Sequence, residues 1–151
     1  MHSFSRRNTI RGFVLLVAGS TFATVSRSIA ADKVPLAIKG YDPVAYFTAR
    51  KPARGLLEFE YEWDEQRYRF SSAANRELFK ADPVRYAPQF ANFCAMSLAQ
   101  GELVEANPEN WLVSDGKLYI FGKSIGPEVF QQDLAGNIAK AKQNRALVQK
   151  N

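Results

Sequence analysis

Residues 68–95 constrain this chain more than any other stretch. In order they read as the end of a strand, a capped helix, a proline-punctuated turn and the position of the only cysteine, Cys94. Ser72 is placed to cap the helix. Ala74, Asn75, Leu78 and Phe79 fall three and four apart, which puts Leu78 and Phe79 over one face. Asp82-Pro83 then ends that helix and starts another turn, an aspartate cap followed by a proline at the first helical position. Asp42-Pro43 uses the same device upstream, with a short helix over Val44 to Phe47 ended before Pro52. The recurring Asp-Pro-Val is shared helix-start chemistry, and no longer period supports a duplicated domain.

Two hairpins flank this stretch. Glu58 to Trp63 alternates charge with aromatic residues, the period-two pattern of a strand with one buried face, and Gln66 to Phe70 continues it past an Asp64-Glu65 turn. Trp111 to Ser114 and Lys117 to Phe121 surround Asp115-Gly116, the strongest short-range hairpin signal. Between them, Tyr86 to Phe90 packs across the sheet, Asn92 to Gln100 forms a short helix closed by Gly101, and Asn107 to Asn110 is a loop. Two helices follow, over Pro127 to Leu134 and Asn137 to Val148, broken at Gly136. The second is amphipathic through Ile138, Ala141 and Val148. The expected fold class is α+β, a small antiparallel sheet from two hairpins with helices packed on it.

The first 31 residues read as an address. Arg6, Arg7, Arg11 and Arg27 have no acidic residue among them, an apolar run spans Gly12 to Val25, and Ser28-Ile29-Ala30-Ala31 is a small-residue cleavage site. Arg6-Arg7 suits a twin-arginine signal, while Thr9 stands where that pattern prefers an aromatic, so general secretory export stays open. The apolar run is shorter than the roughly 20 residues of a membrane span. The expected division is an export signal over 1–31 and one domain over 32–151, delivered to the periplasm or cell envelope without a membrane span in the mature chain.

Cleavage changes the chemistry on offer. The chain carries 20 Lys and Arg against 15 Asp and Glu, and four of those arginines lie in the signal, which leaves the mature part at +1. That argues against a nucleic-acid partner, for which a clustered basic face is expected. The only histidine, His2, is lost as well. This excludes Ser-His-Asp and Cys-His catalysis within one chain and any Cys/His zinc finger. With a single cysteine no disulfide forms within the chain, so stability rests on the core.

Gly40-Tyr41-Asp42-Pro43-Val44-Ala45-Tyr46-Phe47 and the stretch from Tyr68 to Phe93-Cys94-Ala95 resemble the YHS domain family, in its exported single-cysteine branch of YHS domain-containing (seleno)proteins. The resemblance implies a treble-clef-like scaffold in which one cysteine follows the first Asp-Pro-Val and two more follow a Tyr-x-Phe strand. Here Ala45 stands at the first position, and Ser71, Ser72 and Asn75 fall around the others. Soft metals select sulfur or imidazole over a neutral hydroxyl, so the resemblance carries the scaffold rather than that ligand set. In this branch the cysteine looks exchangeable for selenocysteine, which implies a position valued for a reactive chalcogen. Where the branch has a glycine pair before the aromatic, this chain has Ala91-Asn92.

Three roles remain open for Cys94. In one it is an inert core thiol packed by Phe90 and Phe93, in a structural or protein-interaction module. Alternatively Cys94 and Met96 are sulfur ligands for a soft metal such as copper, brought by a metal donor, or border a small-ligand site. Residues two apart on a regular helix do not face each other, so that pairing needs a non-helical backbone at the site. Third, Cys94 is the catalytic thiol of a redox protein, passing through a sulfenic acid or mixed disulfide. A helix N-terminus favours a thiolate and apolar burial favours the thiol, so exposure decides between them. Asp42, Asp64, Asp82 and Asp115 occupy cap and turn positions where aspartate serves the backbone. Tyr41, Tyr46, Trp63, Tyr68 and Tyr86 read as core first and pocket lining second.

Overall fold

The structure, a computed structural model, describes residues 34–150, with side chains to Leu147. The export signal expected over residues 1–31 and the side chain of Val148 lie outside the described residues. No helix among the described residues is long and apolar enough to cross a membrane.

The protein is α+β. A tight turn at Ala37–Gly40 leads to α1 (Ala45–Thr48), β1 (Leu56–Trp63), β2 (Gln66–Phe70), α2 (Ala73–Ala81) and α3 (Pro83–Tyr86). Then come α4 (Ala95–Ala99), β3 (Asn107–Ser114), β4 (Lys117–Phe121), α5 (Gly126–Gln132), α6 (Leu134–Gln143) and a closing 3-10 segment, Asn144–Lys150. The caps follow the sequence reading. Asp42 accepts the N–H groups of Val44 and Ala45 ahead of α1, Ser72 accepts that of Asn75, and Asp82 that of Arg85. Both hairpins are closed by two-residue loops with both residues at positive φ, Asp64-Glu65 (49° and 58°) and Asp115-Gly116 (49° and 68°). That backbone matches the twist of the flanking strands.

One motif is used twice. The succession helix, strand, strand, helix, helix runs through α1 to α3 and again through α4 to α6. From the hairpins onward the offset is 51 residues. The pairing of Leu56 with Phe70, the irregularity after it and the resumed register at Glu60 with Arg69 return as Asn107 with Phe121 and Trp111 with Ile120. Tyr68, Phe70 and Phe79 return as Tyr119, Phe121 and Phe130. The cap Asp82 (φ −151°, ψ 75°) returns as Asp133 (φ −140°, ψ 65°). Up to the start of the short helix (Leu36 to Ala45) the offset is 52, and from the end of that helix onward it is 51. The Asp42 N–H donates to the Ala53 carbonyl at 2.8 Å and the Cys94 N–H to that of Val104 at 2.7 Å. The parallel bridge of Leu36 with Arg67 likewise returns as Pro88 with Leu118. The repeat that the sequence reading denied is therefore present in the backbone, while most of its side chains have diverged.

Each half builds its own core in the same way, by setting an aromatic from a helix over the inner face of the hairpin. Phe79 lies 4.6 Å from Tyr68 and 5.2 Å from Phe70, and Phe130 lies 5.4 Å from Tyr119 and 5.3 Å from Phe121. β4 serves both cores. Leu118 and Ile120 face the first and Tyr119 and Phe121 the second, because successive strand residues point to opposite faces. The equivalent positions in β2 are Arg67 and Arg69, which instead share Glu60 at 3.6 and 2.7 Å. One hairpin therefore reads as alternating and the other as a continuous apolar run.

Several local expectations shift. The hairpins form two separate two-stranded sheets rather than one sheet. Asn107 to Asn110 belongs to β3, not to a loop, since Asn107 pairs with Phe121. The helix expected from Asn92 begins at Ala95, after a turn in which the Phe93 N–H donates to the Phe90 carbonyl. In α2 only Phe79 is buried and Leu78 is exposed. The last two helices break at Asp133, whose carboxylate accepts the Gly136 N–H and starts α6, so Gly136 lies inside the first turn.

Candidate ligand pocket beside Cys94

The repeat sets Asp42 and Cys94 in equivalent places, each ahead of a short helix and each accepting the N–H three residues on. The Asp42 carboxylate takes that of Ala45 at 3.3 Å, and the Cys94 sulfur takes that of Ser97 at 3.5 Å. What surrounds the two acceptors differs completely.

Asp42 has no solvent exposure. Its Oδ1 also accepts the Val44 N–H at 2.8 Å. Its Oδ2 accepts the Ser71 N–H at 2.8 Å, the Ser71 hydroxyl at 2.6 Å and the Asn75 amide at 2.7 Å. A buried carboxylate is tolerated only with such partners, and here three backbone N–H groups and two side chains supply them. The positions where the YHS resemblance implies metal ligands are thus occupied otherwise. Ala45 offers no side-chain donor atom, Ser71 and Asn75 hold Asp42, and Ser72 caps α2. That ligand set does not fit a metal here.

In the second half, the equivalents of Ser71 and Asn75 are Gly122 and Gly126. No side chain reaches toward the cysteine from either, and a cavity of about 450 Å3 opens beside Cys94. A Cβ on Gly122 would stand 3.9 Å from that of Cys94, within ordinary contact. Met96, Val104, Ile125 and Val129 add the apolar and thioether lining, and Glu102, Glu105 and Lys123 bring charge. Cys94 is only 5% exposed, belongs to the second core together with Phe90 and Leu98, and also lines the cavity.

The backbone at Cys94 is extended (φ −65°, ψ 117°) and α4 begins only at Ala95. Cys94 and Met96 are therefore not two positions of one regular helix, and both line the same cavity. Among the described residues no group of three His, Cys, Asp or Glu side chains could hold a metal, and the sulfur-bearing residues of the cavity lining are Cys94 and Met96. There is no histidine among the described residues, and the side-chain bond that Cys94 makes is to the Ser97 N–H.

The other aspartates singled out in the sequence are structural. Asp64 and Asp115 sit in the hairpin loops and Asp82 caps α3. Tyr41, Tyr46, Tyr68 and Tyr86 are buried in the first core, with Trp63 packed against it. Burial holds the phenols of Tyr46 and Tyr68 above their ordinary range, and it acts in the same direction on Tyr119. The Tyr41 hydroxyl donates to Glu109 at 2.5 Å, and that bond raises its pKa, while Arg54 lies 4.2 Å over its ring.

Sequence reasoning missed Gly122 and Gly126. The signal was available: Ser71-Ser72-x-x-Asn75 set 51 residues ahead of Gly122-Lys123-x-x-Gly126 shows where the second half lost its side chains. Comparison with family models, with curated proteins and with solved structures returns no match for this chain.

Proposed function

We propose that this chain is an exported binding module of the YHS type, acting in the periplasm or cell envelope, that takes a soft cation such as Cu(I) at Cys94 and Met96. One observation carries the reading. Apart from Met1, the chain has two sulfur-bearing residues, Cys94 and Met96, and both line one cavity. Thiolate and thioether together select soft ions, and an ion bound there supplies a redox-active or transferable metal centre. Cys94 would be the charged ligand and Met96 the neutral one. The apolar wall of Val104, Ile125 and Val129 would limit water.

The test is Cu(I) competition against a chromophoric chelator under anaerobic, reducing conditions, using the mature chain. One equivalent retained by the wild type, lost in Cys94→Ser and weakened at least tenfold in Met96→Leu supports the reading. A chain that retains no Cu(I), or whose retention ignores both substitutions, overturns it. If Cys94 then reacts rapidly with a thiol reagent in the native state, the thiol redox reading takes its place. If it does not, Cys94 is a core residue and the function lies elsewhere on the surface.

A further inference from the structure

A second cleft, of about 400 Å3, lies in the first half of the chain and is lined by Tyr46, Phe47, Arg50, Arg85, Trp111 and Val113. Its charge is one-sided, with two guanidinium groups and no carboxylate among the lining residues. Arg67, Arg69 and Arg76 are paired with Glu60 or Glu77, whereas neither Arg50 nor Arg85 has an ion-pair partner among the described residues. Tyr46, Phe47 and Trp111 supply most of the remaining surface, with Val113. Tyr46 and Trp111 stand 5.4 Å apart in a tilted pair, and Phe47 meets Tyr86 edge-on at 5.3 Å.

The repeat sharpens this. Arg50 follows α1 with φ at 54°, in the left-handed region that ends helices and that glycine fills without strain. Its equivalent after α4 is Gly101, with φ at 84°. The equivalent of Arg85 is Gly136, each donating its N–H to the aspartate cap three residues earlier. Both arginines thus stand where the other half has glycine, and Arg50 keeps its side chain at a position whose backbone disfavours one.

We propose that this cleft binds a small organic anion, with its carboxylate received by Arg50 and Arg85 and its planar apolar part laid against Trp111. A guanidinium presents a planar fork matched to a carboxylate, and the aromatic lining contributes nothing to a bare inorganic ion. The volume is that of a small-molecule site. This site is separate from the Cys94 cavity and shares no lining residue with it.

The test is titration of the 15N-labelled mature chain with benzoate, benzamide and inorganic phosphate. The readout is the indole N–H signal of Trp111, identified as the one that survives in Trp63→Phe. The expected result is a saturable shift with benzoate, with benzamide and phosphate each at least tenfold weaker. Arg85→Gln lowers benzoate affinity at least tenfold. Arg50→Gly does the same while keeping or raising the thermal midpoint, because glycine suits the left-handed backbone there. The proposal is overturned if benzoate leaves Trp111 unmoved, if benzamide or phosphate matches it, or if the folded Arg50→Gly protein binds benzoate as the wild type does.

Discussion

Asn75 donates its side-chain amide to the buried carboxylate of Asp42 at 2.7 Å, tying the first turn of α2 to the segment ahead of α1 across 33 residues of sequence. With the Ser71 hydroxyl and three backbone N–H groups, it makes Asp42 the polar centre of the first half. Removing that carboxylate leaves several buried donors without an acceptor. Asp42→Ala is expected to lower stability by about 3 kcal/mol or more. Asp42→Asn is expected to cost about 2 kcal/mol, since its NH2 would face other donors. Urea unfolding followed by far-UV circular dichroism measures both, and a loss below about 1 kcal/mol for the alanine variant would refute the role given to Asp42.

Gly122 and Gly126 predict opposite outcomes for the same kind of change. A Cβ on Gly122 meets nothing nearer than the Glu105 carbonyl at 3.5 Å, so Gly122→Ser should fold with stability within about 1 kcal/mol of wild type. It would place a hydroxyl beside Cys94, as Ser71 does beside Asp42, and slow alkylation of the thiol. At Gly126 a Cβ would sit 2.6 Å from that of the buried Phe121, so Gly126→Ala is expected to cost about 1–3 kcal/mol. Equal stabilities for the two variants would contradict the packing described.

Cys94→Ser is expected to keep the fold within about 1 kcal/mol. Serine is a preferred N-cap, and its hydroxyl would accept the Ser97 N–H that the sulfur now takes at 3.5 Å. Thermal unfolding checks this, and the result makes the serine variant a clean control for metal binding. A Cys94→Ser protein that fails to fold would show that the sulfur is required for packing.

Phe79 and Phe130 fill equivalent places with no exposure. Phe79→Ala and Phe130→Ala should each cost about 3–5 kcal/mol, the loss of a large buried ring plus the cavity it leaves. Chemical denaturation of each variant measures this. If one loss were under half of the other, the two cores would not be built alike.

Tyr46 and Tyr68 give a pH prediction. Burial raises their folded-state pKa values above the ordinary 10.0. Below pH 10 these phenols are neutral in both states and their burial supports the fold in full. As pH rises past 10 the unfolded chain releases protons that the folded chain keeps, so stability falls. The denaturation midpoint should drop steadily above about pH 10. Ultraviolet titration should show these tyrosines ionising together with unfolding, and free ionisation of all six tyrosines in the folded chain would contradict it.

Much of this was readable because it depends on neighbours along the chain. Asp-Pro caps, the Ser72 cap, the Asp115-Gly116 loop and the alternation of Glu58 to Trp63 each act within a few residues, so local rules locate them. The alternation failed to predict one sheet or two, because strand faces say what is buried and not which strands pair. Leu78 looked like a core residue beside Phe79, and only the path of α2 over the hairpin turns Phe79 inward and leaves Leu78 in solvent.

The sequence by itself determined the α+β class, the hairpins, most helix starts and the fact that Cys94 and Met96 are the only sulfurs beyond Met1. Those follow from residue type and short-range spacing. Tertiary structure decided that Asp42 and Cys94 are equivalents, and that one is walled in by Ser71 and Asn75 while the other borders open space. Hydrogen bonds and missing side chains between segments 30 or so residues apart made that difference, and distances of that kind exist only once the chain has folded.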